Sequence, residues 1–140
     1  MRVGIVGGTV YESQVLERFL HRLRKHHPDA IILTGDGRGV EAQVVCDATG
    51  LGCEVEQPAL HPEWFGRQAL ACQINDIVNG CDVLVIVGAR TASRARLAVD
   101  IFNRMEMMQR NIRGGLALDK RGRPISRREP EHQRKLVYIS

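Results

Sequence analysis

The stretch from Ala30 to Glu41, Ala-Ile-Ile-Leu-Thr-Gly-Asp-Gly-Arg-Gly-Val-Glu, restricts the fold more than any other part of the chain. Ile31 to Leu33 is a short apolar run of the kind that forms a strand buried on both faces. Glycines follow at Gly35, Gly37 and Gly39, and a helix-forming segment begins near Val40. A strand, a glycine-rich turn and a helix start in succession make a place for an anion. Glycine lets the backbone come close, and the amides of the first helical turn have no partner within the helix.

The same order recurs along the chain. Val3 to Val6 is an apolar run that stops at Gly7-Gly8. Thr9-Val-Tyr-Glu12 fits a capping box, with Ser13 as the alternative cap. Val15, Leu16, Phe19, Leu20 and Leu23 then recur at helical spacing, and Pro28 ends that helix. The second strand is read over residues 30–34 and the second helix over 40–49, the latter closed by Gly50 and Gly52. Residues 53–57 alternate and read as a third, more exposed strand. Leu70, Ile74, Ile77 and Val78 mark a third helix ending at Gly80. Residues 82–87 are the most strand-like run, ending at Gly88, and a fourth helix is expected over residues 92–109.

This alternation predicts an α/β fold, a Rossmann-like doubly wound and mainly parallel sheet. Beyond Gly114-Gly115 the pattern changes. Leu116 to Asp119 and Arg123 to Ile125 flank Lys120-Arg-Gly122, which reads as a C-terminal β-hairpin, with a last strand over 136–139. The expected organisation is a nucleotide-binding domain over residues 1–112, with residues 113–140 as a basic extension of the same domain. At 140 residues the chain is long enough for one hydrophobic core.

Charge divides along the same line. Residues 1–103 carry 10 Lys and Arg against 12 Asp and Glu, while residues 104–140 carry 10 against 4. Only the C-terminal quarter is basic, which suits a nucleic-acid contact, an oligomer contact or a solvated surface. No apolar run approaches the ~20 residues that span a bilayer, and the N-terminus enters a strand-like run without a signal-like apolar segment. The expectation is a cytoplasmic protein with no membrane partner. Cys46, Cys53, Cys72 and Cys81 form no C-x-x-C pair and complete no zinc pattern with histidine, so they are read as small core residues and no metal or other cofactor is expected.

In an open α/β sheet, ligands bind beyond the carboxyl ends of the strands. Three turns converge there: Gly7 to Glu12, Gly35 to Glu41, and Gly88 to Ser93. The candidate ligand-binding residues are Gly7, Gly8, Thr9 and Tyr11 in the first, Gly35, Asp36, Gly37, Arg38 and Gly39 in the second, and Gly88, Arg90, Thr91 and Ser93 in the third. Each has a competing structural role. The glycines suit tight turns, Thr91 and Ser93 suit helix capping, Tyr11 can cover the end of the sheet, and the arginines suit a solvated face. The first turn lacks G-x-G-x-x-G, Thr34 stands where a ribose-binding acid is expected, and there is no G-x-x-x-x-G-K-[ST]. An ordinary NAD dehydrogenase and a P-loop NTPase are therefore disfavoured.

Val-Gly-Ile-Val-Gly-Gly at 3–8, Thr-Gly-Asp-Gly-Arg-Gly-Val-Glu at 34–41 and Val-Ile-Val-Gly at 85–88 resemble the SLOG superfamily, which includes the LOG phosphoribohydrolases and the SMF/DprA proteins. The similarity is greatest to its small stand-alone branch, whose second turn reads like Gly-Gly-Ala-Arg-Gly-Ala-Asp. Trp64, Gly66, Arg67 and Asn75 also resemble that branch. The resemblance covers residues 1–103 and implies a nucleotide or phosphoribosyl ligand, with Asn75 and Glu41 near the sugar or base. The LOG enzymes carry Pro-Gly-Gly-x-Gly-Thr and then Glu after the fourth strand. Here the turn is Gly88-Ala-Arg-Thr-Ala-Ser93, and Ile74 stands where those enzymes have Arg before the helix Asn.

Three functional classes follow. The first is a sensor or sequestering protein that binds a nucleotide or nucleotide-derived ligand. The second is a hydrolase or transferase acting on a nucleotide N-glycosidic bond, with Glu41 as the catalytic carboxylate. The third is a DprA-like nucleic-acid-binding module using residues 104–140. A homo-oligomer is the other partner in view, since sheet-edge additions often serve dimers.

Overall fold

The computed structural model describes residues 1–61, 63, 66–115 and 134–140. The strands are β1 (Arg2–Gly7), β2 (Ile31–Leu33), β3 (Glu54–Glu56), β4 (Val83–Val87) and β5 (Lys135–Ile139). The helices are α1 (Ser13–His26), α2 (Val40–Gly50), α3 (Ala69–Gly80) and α4 (Ser93–Gly115), with a short 3₁₀ turn at Gly66–Gln68 before α3. The strands form one sheet in the order β3-β2-β1-β4-β5, and every pairing is parallel. This is the Rossmann-like doubly wound architecture. The chain builds outward from β1 to β3, then returns to the other side of β1 to add β4 and β5.

The period-two pattern of β4 shows why both faces must be covered. Val85 and Val87 face a cluster built with Leu16, Leu20 and Leu23 of α1 and Val40, Val44 and Ala48 of α2. Leu84 and Ile86 face the opposite cluster, with Ile74, Ile77 and Val78 of α3 and Ala95, Ala98 and Phe102 of α4. Each helix presents one apolar stripe to the sheet, as its i, i+3, i+4 spacing requires. In β1, Gly4 lets α3 come close. A Cβ there would lie 3.1 Å from both Ile77 Cγ2 and Cys81 Sγ.

Two details of the helices differ from the sequence reading. Thr9 does not cap α1. The helix starts at Ser13, its N-cap is Glu12, and no side chain caps it. The segment before it is held instead by neighbouring turns, since Gly8 O accepts from Val40 N at 3.1 Å and Val10 O accepts from Ala89 N at 3.0 Å. Second, α4 runs to Gly115, beyond the residue 109 expected for its end. The last strand, expected over 136–139, runs over Lys135–Ile139 at the sheet edge as a parallel neighbour of β4, pairing Val83 with Lys135 through Val87 with Ile139. The expected hairpin over 116–125 lies outside the described residues. The cysteines are unpaired. Cys81 is buried and Cys53 and Cys72 are half-buried, but Cys46 is exposed and so is not a core residue. Among the described residues no helix is long and apolar enough to cross a membrane, and no cluster of His, Cys, Asp and Glu is arranged to hold a metal ion.

Candidate functional site

The strand order reverses between β1 and β4, so the loops leaving their carboxyl ends diverge onto opposite faces of the sheet and leave a crevice. A cavity of about 410 Å³ lies here. It is lined by Gly8, Thr9 and Val10 after β1, by Arg38 after β2, and by Ala89, Thr91, Ala92, Ser93 and Arg94 around the start of α4. All three turns named from the sequence thus reach one cleft.

The start of α4 gives the cleft its donors. The first bond of this helix runs from Arg96 N to Ala92 O at 2.9 Å. The amides of Ser93, Arg94 and Ala95 precede it and are the unpaired donors found at a helix start. Among the described residues neither the Thr91 nor the Ser93 hydroxyl makes a hydrogen bond to them. Arg38 is exposed at the cleft and forms no ion pair among the described residues. An anion in the cleft would therefore meet unpaired amides, a helix dipole and one free guanidinium.

Behind this surface lies a polar strut that explains the glycine turn. Glu41 is in the first turn of α2 and is wholly buried. Arg94 Nη2 donates to Glu41 Oε1 at 2.8 Å, and Arg94 Nε lies 2.7 Å from Oε2 in an ion-pair contact. The backbone amides of Gly37 and Gly35 also face the carboxylate. Burial pushes the Glu41 carboxyl above its ordinary value. Arg94 and the two amides pull in the opposite direction, and burial wins. Gln73, buried on the inner side of α3, completes the strut. Its Oε1 accepts from Asp36 N at 3.1 Å, and its Nε2 donates to Asp36 Oδ2 at 2.9 Å and to Pro58 O at 2.8 Å. Gln57 Nε2 bonds both Gly35 O and Asp36 Oδ1 at 3.0 Å.

The glycines follow from this packing. A Cβ on Gly35 would lie 2.6 Å from Arg94 Nη2 and 2.8 Å from Glu41 Oε1, and one on Gly37 would overlap Glu41 Oε2. Gly39 has φ of 78° and a Cβ there would run into Gly8 O, while Gly88 has φ of 80° and a Cβ there would run into Val10 O and the Tyr11 Cβ. L side chains rarely adopt this backbone region. A Cβ on Gly7 would meet Val87 O at 2.6 Å, and one on Gly8 would meet the Ala92 Cβ at 2.7 Å. Close approach of three turns is thus a sufficient reason for these glycines.

Gly8, Thr9, Arg38, Thr91 and Ser93 line the cleft, and Gly7, Gly39, Gly88 and Arg90 adjoin it in the same turns. Gly35, Asp36 and Gly37 belong to the strut. Tyr11 packs on the cluster beneath α1 and α2, and its hydroxyl donates to Gln43 Oε1 at 2.7 Å, so it covers the end of the sheet. Asn75 is exposed on α3 in a separate depression with Cys72, Asp76 and Arg104, and does not line the cleft. Trp64 lies outside the described residues.

A scan against protein-family models finds no match, and a search of curated proteins finds none. The functional reading is therefore carried by the geometry of this cleft.

Gln57 and Gln73 had no role in the sequence reading. For Gln73 a signal existed: it adjoins Ile74 on the inward stripe of α3, where a buried amide must find partners. Sequence spacing does not single out Arg94 from Arg90 and Arg96 near the α4 start, because its partner lies 53 residues away.

Proposed function

We propose that this domain binds a phosphorylated nucleotide or nucleotide-derived ligand in the cleft between the carboxyl ends of β1 and β4, as a sensor or sequestering protein. The observation that carries the reading is the convergence on one cavity, at the topological switch point, of the α4 start and of Arg38, which among the described residues are, respectively, uncapped and without an ion-pair partner. Its volume of about 410 Å³ lies within the range of small-molecule sites, roughly 300–1,000 Å³. The phosphate would take the amides of Ser93 and Arg94, with Arg38 closing on it. The resemblance to the SLOG superfamily over residues 1–103 points to the same ligand class.

Binding is favoured over N-glycosidic hydrolysis because of the setting of Glu41. A group acting on substrate must come within hydrogen-bond reach of it. Glu41 is fully buried, and Arg94 and two backbone amides occupy its carboxylate. A ligand in the cleft meets Arg94 first.

The test is thermal unfolding against inorganic phosphate, ribose 5-phosphate, the nucleoside monophosphates, NAD and ADP-ribose, with single-stranded DNA in parallel. A ligand at a hundred times its dissociation constant stabilises by about 2.7 kcal/mol, a shift of roughly 8–10 °C for a chain of this size. The expected result is such a shift with a phosphorylated sugar or nucleotide, reduced in Arg38→Ala. No shift with any small phosphate compound overturns the proposal. A shift with DNA alone, abolished by salt, favours nucleic-acid binding instead.

A further inference from the structure

Among the described Phe, Tyr and Trp residues one is exposed, Tyr138 in β5, with 37% of the residue accessible. The parallel register sets Tyr138 opposite Ile86, one residue before the end of β4. Next to it, Ile139 O accepts from Gly88 N at 2.8 Å, which fastens the end of β5 to the turn that opens the cleft. Arg90, in that turn, has its Cζ 4.0 Å from the Tyr138 ring centroid. Arg90 forms no ion pair with a carboxylate among the described residues, so the ring holds it in place. Its neighbours on either side, Ala89 and Thr91, both line the cleft.

A flat cation backed by a ring and placed beside an anion site suits a ligand with a charged end and a flat end. Guanidinium planes stack on aromatic faces, and nucleobases stack on both. We propose that Arg90, backed by Tyr138, is the stacking platform for the base of the bound ligand, with the phosphate at the α4 start. This inference rests on the binding function proposed above and narrows its ligand to nucleotides over phosphosugars. Stacking reads the π-face common to all bases, so the platform itself selects for a base and not among bases.

The experiment compares dissociation constants for AMP, GMP, CMP and UMP with that for ribose 5-phosphate, in the wild type and in Arg90→Lys, Tyr138→Ala and Tyr138→Phe. A stacked base should make the best nucleotide bind about 5- to 150-fold more tightly than ribose 5-phosphate. Arg90→Lys keeps the charge and loses the plane, and Tyr138→Ala removes the backing. Both should bring the ratio to within about twofold of one, whereas Tyr138→Phe should retain it. A contact that merely pins the turn would move nucleotide and ribose 5-phosphate affinity together and leave the ratio unchanged in the variants, which overturns the proposal. Equal wild-type affinity for nucleotide and ribose 5-phosphate overturns the platform and leaves the phosphate site standing. Binding of none of the five overturns both.

Discussion

Arg94→Met should destabilise the protein by an amount that grows with pH. In the folded protein the Glu41 carboxylate is wholly buried, and Arg94 provides its counter-charge. Burial already holds the carboxyl above its ordinary value of 4.5 despite Arg94. Without the guanidinium, two of the influences that lower it are lost and the value climbs further. The folded variant then keeps a proton on Glu41 to higher pH than the wild type does, over a range where the unfolded chain has already lost it. The cost of that protonation cannot exceed 2.303RT times the distance from 4.5 to 7, about 3 kcal/mol. Part of it is already present in the wild type, so the difference between the two is smaller than this ceiling. The sign follows from linkage. A carboxyl raised in the folded state contributes stability below its unfolded value, and the contribution is lost as pH rises through the folded value. The gap between wild type and Arg94→Met should therefore be least near pH 4.5 and widen toward pH 7, with a slope of at most about 1.4 kcal/mol per pH unit. For a chain of this size that amounts to an unfolding midpoint lower by up to about 10 °C at pH 7. The assay is urea or thermal unfolding from pH 4.5 to 7.5, with Glu41→Gln/Arg94→Met as the control, since removing both charges should abolish the widening. A gap that stays constant across this range would refute the strut. Lost packing also destabilises, but it does so without pH dependence.

Three further outcomes follow from the same geometry. Gly37→Ala would drive a Cβ into the pinned Glu41 carboxylate and should cost about 2 kcal/mol or more, read as a lower urea midpoint. Gly39→Ala combines a φ of 78° with a clash on the Gly8 carbonyl, so it should cost about 2–3 kcal/mol and weaken ligand binding by moving the first turn. Thr34→Val removes the bond from the buried hydroxyl to Ile5 O, 3.0 Å long, and should cost about 1–2 kcal/mol by thermal unfolding, because that carbonyl is left with one fewer partner.

Much of the fold was legible because it rests on local patterns. The apolar runs ending at Gly7, at the turn after Leu33 and at Gly88 become β1, β2 and β4, and the stripe of Leu16, Leu20 and Leu23 faces the sheet as its spacing requires. The all-parallel order follows from the alternation of strands and helices. What was not legible depends on contacts between distant residues. Thr9 and Glu12 have the letters of a capping box, but the chain there is held by Val40 and Ala89 from two other turns, and those bonds prevail over a local motif. The glycines at 35, 37 and 39 suggested a ligand. Three of the reasons for them, Arg94, Gln73 and Glu41, lie on other elements and become visible only when packed. Of the candidate residues, Gly8, Thr9, Arg38, Thr91 and Ser93 reached the cleft, because topology places the turns after β1, β2 and β4 together. Asn75 was drawn from a resemblance in mid-helix, and the orientation of α3 sets it in another depression.

The most direct test of the binding site is an amide-resolved NMR titration of the 15N-labelled protein with a nucleoside monophosphate. Binding in the cleft should give saturable shifts led by Gly8, Thr9, Ser93 and Arg94, whose amides or turns border it. Shifts confined to residues 104–140, or none at millimolar ligand, would contradict it.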